Sequence, residues 1–107
     1  MFSFFKKQYK SITALEFNKL KNERGVNVID VRNKTELSSG MIPNSTHINV
    51  LNSSFKSEIK KLDQSKTYVV YCRSGIRSAR ACQIMGKLGF QDVYNLKGGI
   101  LTWNELD

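Results

Sequence analysis

An apolar run that passes directly into a short polar turn and then into a helical pattern constrains this chain most. The run is Thr67–Tyr71, whose β-branched and aromatic residues are typical of a buried strand. Helical spacing begins at Ser78, so residues 72–77 must form the turn between the two elements. The sequence therefore places Cys72 where a strand ends and a helix begins, which is the edge that binds ligands in open α/β sheets.

This turn has the composition of an anion-binding loop. The helix that follows directs its free amide groups back at the turn. Gly75 permits the positive φ angle that lets successive amide groups converge. Positive charge and hydroxyl donors come from four further residues, Arg73, Arg77, Ser74 and Ser78. Such surroundings favour the thiolate of Cys72 over the thiol.

A lower cysteine pKa by itself gives little gain in rate. A fall from about 8.5 to about 6.5 raises the thiolate fraction at neutral pH from roughly 3% to roughly 75%. The less basic sulfur is also less nucleophilic by about eightfold, so the net gain is about threefold. We therefore expect the loop to serve mainly by holding an anionic substrate and by stabilising charge as it moves between atoms.

Strand and helix patterns alternate along the rest of the chain. Strands are also predicted at residues 9–12, 26–31, 46–50 and 93–96, with helical patterns between them. Thr13 followed by Glu16 is a capping-box pattern, and it predicts a helix with Leu15, Phe17 and Leu20 on its apolar side. The order of elements predicts an α/β fold with a five-stranded, mostly parallel sheet and helices on both faces.

Length and charge limit the classes of protein. We expect one domain, residues 1–107, in which about residues 1–8 are loosely packed. The formal net charge of +8 attracts anions of every size, but the lysines are spread over predicted helices, so we predict no nucleic acid partner. The apolar run within residues 1–7 is too short to span a bilayer, and we predict no transmembrane segment. We expect a monomer.

The cysteine count indicates a reducing compartment. Two cysteines, Cys72 and Cys82, form neither a disulfide framework nor a zinc site, and free thiols fit a cytoplasmic protein. Cys82 lies among apolar residues of a predicted helix, where it is either a small core residue or a resolving partner for Cys72.

Two more polar residues fall in predicted strands. Asp30 lies in the apolar run at 26–31, where it either satisfies loop amides at the strand end or belongs to the site. His47 is either a packed, hydrogen-bonded residue or a catalytic base. Arg32 and Glu36 have the spacing of a pair across the first turn of a short helix.

Four short motifs follow one another along the chain. They are D-x-R at residues 30–32 with Glu36 after it, G-M-I-P at 40–43, C-R-S-G-I-R-S at 72–78 and L-x-G-G-x-x-x-W at 96–103. Together they resemble the rhodanese family of sulfurtransferases. Met41 and Asn44 depart from the family pattern, which has histidine and glycine at these positions.

The resemblance implies a thiosulfate sulfurtransferase that needs no metal or organic cofactor. Cys72 would be the nucleophile that accepts a sulfur atom from a small anionic donor, forming a persulfide, and a thiol, cyanide or a protein would then accept the sulfur. Asp30 and Arg32 would support the site, and Arg73 and Arg77 would orient the donor. The transferred sulfur would be held by backbone amides of the loop, those of Arg73, Ser74, Gly75, Ile76, Arg77 and Ser78.

Two other functions remain as alternatives. Cysteine-dependent phosphatases and arsenate reductases also place a thiolate in an anion-binding loop, but the phosphatase pattern has five residues between the cysteine and the arginine. Here four residues separate Cys72 from Arg77, which indicates a tighter ring of amide groups. The second alternative is a non-catalytic binding module of the same fold, a class that commonly lacks the cysteine.

Overall fold

Strands and helices alternate in the computed structural model, which describes residues 8–23 and 25–106. The strands are β1 (Lys10–Ile12), β2 (Val26–Asp30), β3 (Thr46–His47), β4 (Thr67–Tyr71) and β5 (Asp92–Leu96). The α-helices are α1 (Ala14–Leu20), α2 (Phe55–Ile59), α3 (Ile76–Leu88) and α4 (Gly99–Trp103), and a 3-10 helix covers Lys34–Ser39. The N-terminal segment that we expect to be loosely packed, about residues 1–8, lies outside the described residues except for Gln8.

The five strands form one sheet in the order β1-β5-β4-β2-β3, and all four pairings are parallel. The predicted α/β class and five-stranded parallel sheet are thereby confirmed. β4 lies at the centre, where Tyr71 pairs with Asp30 of β2 and Val70 pairs with Asn95 of β5. Because the strands are parallel, the chain segments that follow β2, β4 and β5 meet at one edge of the sheet.

The sheet separates two apolar clusters. One contains Val70 and Cys72 with residues of α2 and α3, and the other contains Val69 and Tyr71 with residues of α1 and α4. Side chains alternate between the two faces along a strand, so this division puts helices on both faces, as predicted. Within residues 8–23 and 25–106, no helix has the length and apolar character needed to cross a membrane.

The start of α1 confirms one local prediction and corrects another. The Thr13 hydroxyl accepts from the amide of Glu16 at 3.1 Å, and the Glu16 carboxylate accepts from the amide of Thr13 at 2.8 Å, which is the predicted capping box. Phe17 is fully buried, but Leu15 is 58% exposed. Two residues along a helix correspond to about 200° of rotation, so Leu15 cannot share the buried face of Phe17.

Candidate active site

The loop between β4 and α3 surrounds the sulfur of Cys72 with hydrogen-bond donors. Gly75, with φ of 101°, turns the chain so that its amide donates to Cys72 Sγ at 3.1 Å. The amide of Ser78, in the first turn of α3, donates to the same sulfur at 3.4 Å, and the Ser78 hydroxyl also lies at 3.4 Å. Cys72 is 1% exposed, so these contacts are made at the bottom of the loop.

These contacts act against burial in setting the pKa of Cys72. Burial raises the pKa, because it disfavours the charged thiolate. Hydrogen bonds to the sulfur lower the pKa to below its ordinary value: the Ser78 hydroxyl contributes when its hydrogen points at the sulfur, and the amides of Ser78, Gly75 and Ser74 contribute as well. No described residue donates a hydrogen bond to the Cys82 sulfur, and its burial among core residues raises the pKa of this thiol.

α4 holds the other side of the loop. The amide of Ile100 donates to the carbonyl oxygen of Cys72 at 2.9 Å, and the amide of Leu101 donates to the carbonyl oxygen of Arg73 at 3.3 Å. Gly99 lies directly against this backbone, since a Cβ atom there would approach Cys72 O to 2.6 Å and Arg73 O more closely still. The loop and the first turn of α4 are therefore packed without room for a side chain between them.

Asp30 and Arg32 form a buried ion pair beside the loop. Nη2 of Arg32 donates to Asp30 Oδ2 at 2.7 Å and also to the carbonyl oxygen of Gly40 at 2.7 Å. The two residues are 0% and 2% exposed, and the pair connects the end of β2 to the turn at Gly40. His47 Nε2 lies 2.6 Å from the carbonyl oxygen of Arg32, a contact that fits the packed, hydrogen-bonded alternative for this histidine.

The predicted pair of Arg32 and Glu36 is wrong. The Glu36 carboxylate instead binds Arg77 of α3 through two hydrogen bonds, of 2.6 Å from Nη1 and 2.9 Å from Nη2. The pKa of Glu36 lies below its ordinary value, mainly because Arg77 donates to it. Arg32 reaches only the backbone carbonyl oxygen of Glu36, at 3.4 Å.

The two arginines of the loop differ in their surroundings. Arg77 is held by Glu36, whereas the side chain of Arg73 is exposed and makes no hydrogen bond or ion pair with any other residue in 8–23 and 25–106. Arg73 lines a surface pocket of about 300 Å³ that opens beside the loop. The other residues of this pocket are Arg32, Glu36, Ser39, Ile100, Leu101 and Asn104.

Asn95 is a site residue that the sequence reasoning missed. It lies on β5, is 5% exposed, and places its Oδ1 2.5 Å from the hydroxyl of Ser78. Its Nδ2 donates to the carbonyl oxygen of Gly75 at 3.2 Å. An asparagine inside the apolar strand pattern of β5 was the available signal, since a buried amide must find hydrogen-bond partners.

Comparison with known proteins agrees with this architecture. A family model described as Rhodanese-like domain matches residues 13–106. The chain belongs to the rhodanese-like family. The predicted family is thereby confirmed.

Two relatives and one solved structure match most of the chain. A thiosulfate sulfurtransferase GlpE of Coxiella burnetii is 36% identical over 95 residues, which are 89% of this chain and 87% of the relative. A sulfurtransferase of Allochromatium vinosum is 37% identical over 85 residues, 79% of this chain and 78% of the relative. The crystal structure of a rhodanese-related protein from Thermoplasma volcanium is 37% identical, with a TM-score of 0.77 and coverage of 91% and 92%. The two named sulfurtransferases support a sulfurtransferase function in general.

Proposed function

We propose that this chain transfers sulfane sulfur from an anionic donor such as thiosulfate, through a persulfide on Cys72, to a thiophilic acceptor. The observation that carries the proposal is the placement of Cys72 Sγ at the bottom of a loop that directs the amides of Gly75 and Ser78 at it. Donors fixed in this way stabilise charge on sulfur without reorganisation during the reaction.

The first half-reaction loads the enzyme. The Cys72 thiolate attacks the outer sulfur of thiosulfate, the sulfur–sulfur bond of the donor breaks, and its electron pair leaves with sulfite. The product is a persulfide whose outer sulfur is held by the backbone amides of residues 73–78. In the second half-reaction, cyanide, a thiol or a protein thiol attacks this outer sulfur, and Cys72 leaves as the thiolate.

We assign Arg73 and Arg77 to the binding of the anionic donor. Arg73 is exposed beside the loop and its charge is available to an incoming anion. Arg77 lies close enough to Cys72 for the thiolate to raise the pKa of its guanidinium, after the larger effect of Glu36. Each cation opposes the repulsion between an anionic donor and an anionic nucleophile.

Replacing Arg77 with alanine is expected to weaken the use of thiosulfate by about 1 to 3 kcal/mol in kcat/KM, the range for a charge-assisted contact. The loss has a second source, because Glu36 would be left as an unpaired negative charge near the site. The measurement is the kinetics of thiocyanate formation at several salt concentrations, since added salt should slow the parent protein.

Glu36→Gln is the matched control, because it removes the opposite charge of the same ion pair. It should leave kcat/KM for thiosulfate unchanged or raise it, since Arg77 keeps its charge and loses its partner. Thiosulfate kinetics that respond to neither Arg77→Ala nor salt would show that this arginine has no part in donor binding.

The test of the proposed function compares two substrates. The parent protein is assayed with an aryl phosphate and with thiosulfate plus cyanide under the same conditions, and its intact mass is measured after incubation with thiosulfate alone. We expect thiocyanate formation and a gain of one sulfur atom on Cys72 that a thiol reductant removes. Faster turnover of the phosphate ester, dependent on Cys72, would replace the sulfurtransferase proposal by the phosphatase alternative.

The remaining alternative, a non-catalytic binding module, is weaker on chemical grounds. A binding module has no need of a cysteine whose pKa is lowered by hydrogen bonds, and Cys72 is such a residue.

Cys72 and Cys82 are both free thiols, which fits our proposal of a cytoplasmic enzyme.

A further inference from the structure

The hydrogen bonds of Asn95 determine which of its side-chain atoms faces Ser78. The carbonyl oxygen of Gly75 can only accept a hydrogen bond, so the atom of Asn95 that lies 3.2 Å from it must be the amide nitrogen. The other atom, Oδ1, then faces the Ser78 hydroxyl at 2.5 Å. This oxygen carries no hydrogen, so Ser78 must donate to it.

A hydroxyl group has a single hydrogen. If Ser78 donates it to Asn95, only the lone pairs of Ser78 Oγ are directed at Cys72 Sγ, 3.4 Å away. An oxygen lone pair can accept from the S–H of a neutral thiol but cannot stabilise a thiolate. The distances favour this assignment, since 2.5 Å is a short O–H···O bond and 3.4 Å to sulfur is a weaker contact.

We propose that Asn95 is a positioning residue that keeps the Ser78 hydrogen directed away from Cys72, so that only backbone amides donate to the thiolate. The same side chain holds the carbonyl of Gly75, whose amide is the nearest donor to the sulfur at 3.1 Å. Asn95 therefore controls what Ser78 offers to the sulfur, and it also anchors the loop at the carbonyl of Gly75, one peptide group after the amide that donates to the sulfur.

Directing the Ser78 hydrogen away from the sulfur keeps the Cys72 thiolate nucleophilic. A thiolate that receives one fewer hydrogen bond keeps a more basic and more nucleophilic sulfur, and the best attacking thiol has a pKa near the ambient pH. Hydrogen bonding from the Ser78 hydroxyl lowers the pKa of Cys72 only when its hydrogen points at the sulfur. By withholding it, Asn95 prevents the thiolate from becoming too stable to attack.

The inference rests on Cys72 being the reactive thiol of the proposed function, but it is tested without a sulfur donor. The pH dependence of Cys72 alkylation by iodoacetamide, followed by intact mass, gives the pKa of the thiol directly. A failed sulfur-transfer assay would leave this result standing. The other charged and titratable groups that face the loop are unchanged in every variant, namely Arg73, Arg77 with Glu36, Cys82, and Asp30 with Arg32.

The variants are Asn95→Ala, Ser78→Ala and the double variant. In Asn95→Ala the Ser78 hydroxyl is released and turns to the sulfur, so the pKa of Cys72 and the midpoint of alkylation should fall by about 1 pH unit. In Ser78→Ala no donor to the thiolate is lost, and the midpoint should not rise. The double variant should have the midpoint of Ser78→Ala, because the effect of Asn95 acts through the hydroxyl.

Two results would overturn the proposal. A rise of about 1 pH unit in Ser78→Ala would mean that the hydroxyl donates to the thiolate in the parent protein. A fall in the double variant equal to that in Asn95→Ala would mean that the loop backbone, and not the hydroxyl, transmits the change. Far-UV circular dichroism checks that each variant is folded, and if Asn95→Ala does not fold, the direction of the shift in Ser78→Ala decides alone.

Discussion

Cys72→Ser is expected to reduce thiocyanate formation from thiosulfate and cyanide to background. A serine hydroxyl is not ionised at neutral pH and cannot form a persulfide, so both half-reactions are lost. The fold should be retained, because the serine Oγ has nearly the same shape and can accept from the amides of Gly75 and Ser78 that now contact sulfur. Intact mass after incubation with thiosulfate should show no added sulfur.

Cys82→Ala is the matched control, since it removes the second thiol of the chain. Cys82 is fully buried in the cluster that α2 and α3 form with the sheet, and burial raises its pKa, so it is poorly suited to attack a donor. We expect most of the sulfur-transfer activity to remain. Equal loss of activity in both variants, with folding unaffected, would instead support a redox mechanism that uses two cysteines.

Gly99→Ala is expected to lower the free energy of unfolding by about 3 kcal/mol or more. Part of the loss is the strain of an alanine at φ of 63°, about 1 to 2 kcal/mol. The larger part comes from overpacking, because the new methyl group would overlap the carbonyl groups of Cys72 and Arg73, and these belong to the backbone of the loop. Urea denaturation measures the loss, and sulfur transfer should fall with it as the loop moves.

Gly25→Ala is the control variant, because it introduces the backbone strain of a positive φ without the overlap between a new methyl group and other atoms. Gly25 also has a positive φ, of 85°, but apart from its neighbours in the chain no described residue would have an atom within 4 Å of a Cβ atom there. This variant should lose only about 1 to 2 kcal/mol and keep its activity. If Gly99→Ala were no less stable than Gly25→Ala, the contact between α4 and the loop would not be what fixes the loop.

Local sequence patterns predicted the elements that position the site. The apolar run of β4, the glycine-containing turn and the helical spacing of α3 each follow from rules that act over a few residues. The alternation of strands and helices then required parallel pairing, which brings the ends of β2, β4 and β5 to one edge. For these reasons the sequence alone could place Cys72 in the loop between β4 and α3.

The pairing of charges could not be predicted in the same way. Arg32 precedes Asn33, the N-cap of the helix at Lys34–Ser39, and that helix is a 3-10 helix, so the spacing rule for pairs within an α-helix does not apply to Arg32 and Glu36. The partner of Glu36 is Arg77, which is 41 residues away in sequence. Asn95 was missed for a similar reason, since its contacts with Ser78 and Gly75 exist only after β5 and β4 have paired.

In the loop at 72–78, the backbone contacts the Cys72 sulfur, and three of the side chains face the solvent instead. The atom that contacts the sulfur at the shortest distance is the backbone amide of Gly75, and every residue type except proline has such an amide. The side chains of Arg73, Ser74 and Ile76 are exposed instead, that of Ile76 to 78%. If the proposed function holds, substitutions at these three positions would change which donor or acceptor approaches, while the backbone amides around the Cys72 sulfur stay in place. Under the proposed function, diversifying these three side chains would be the first step for a designer who wants a new specificity without changing the reaction.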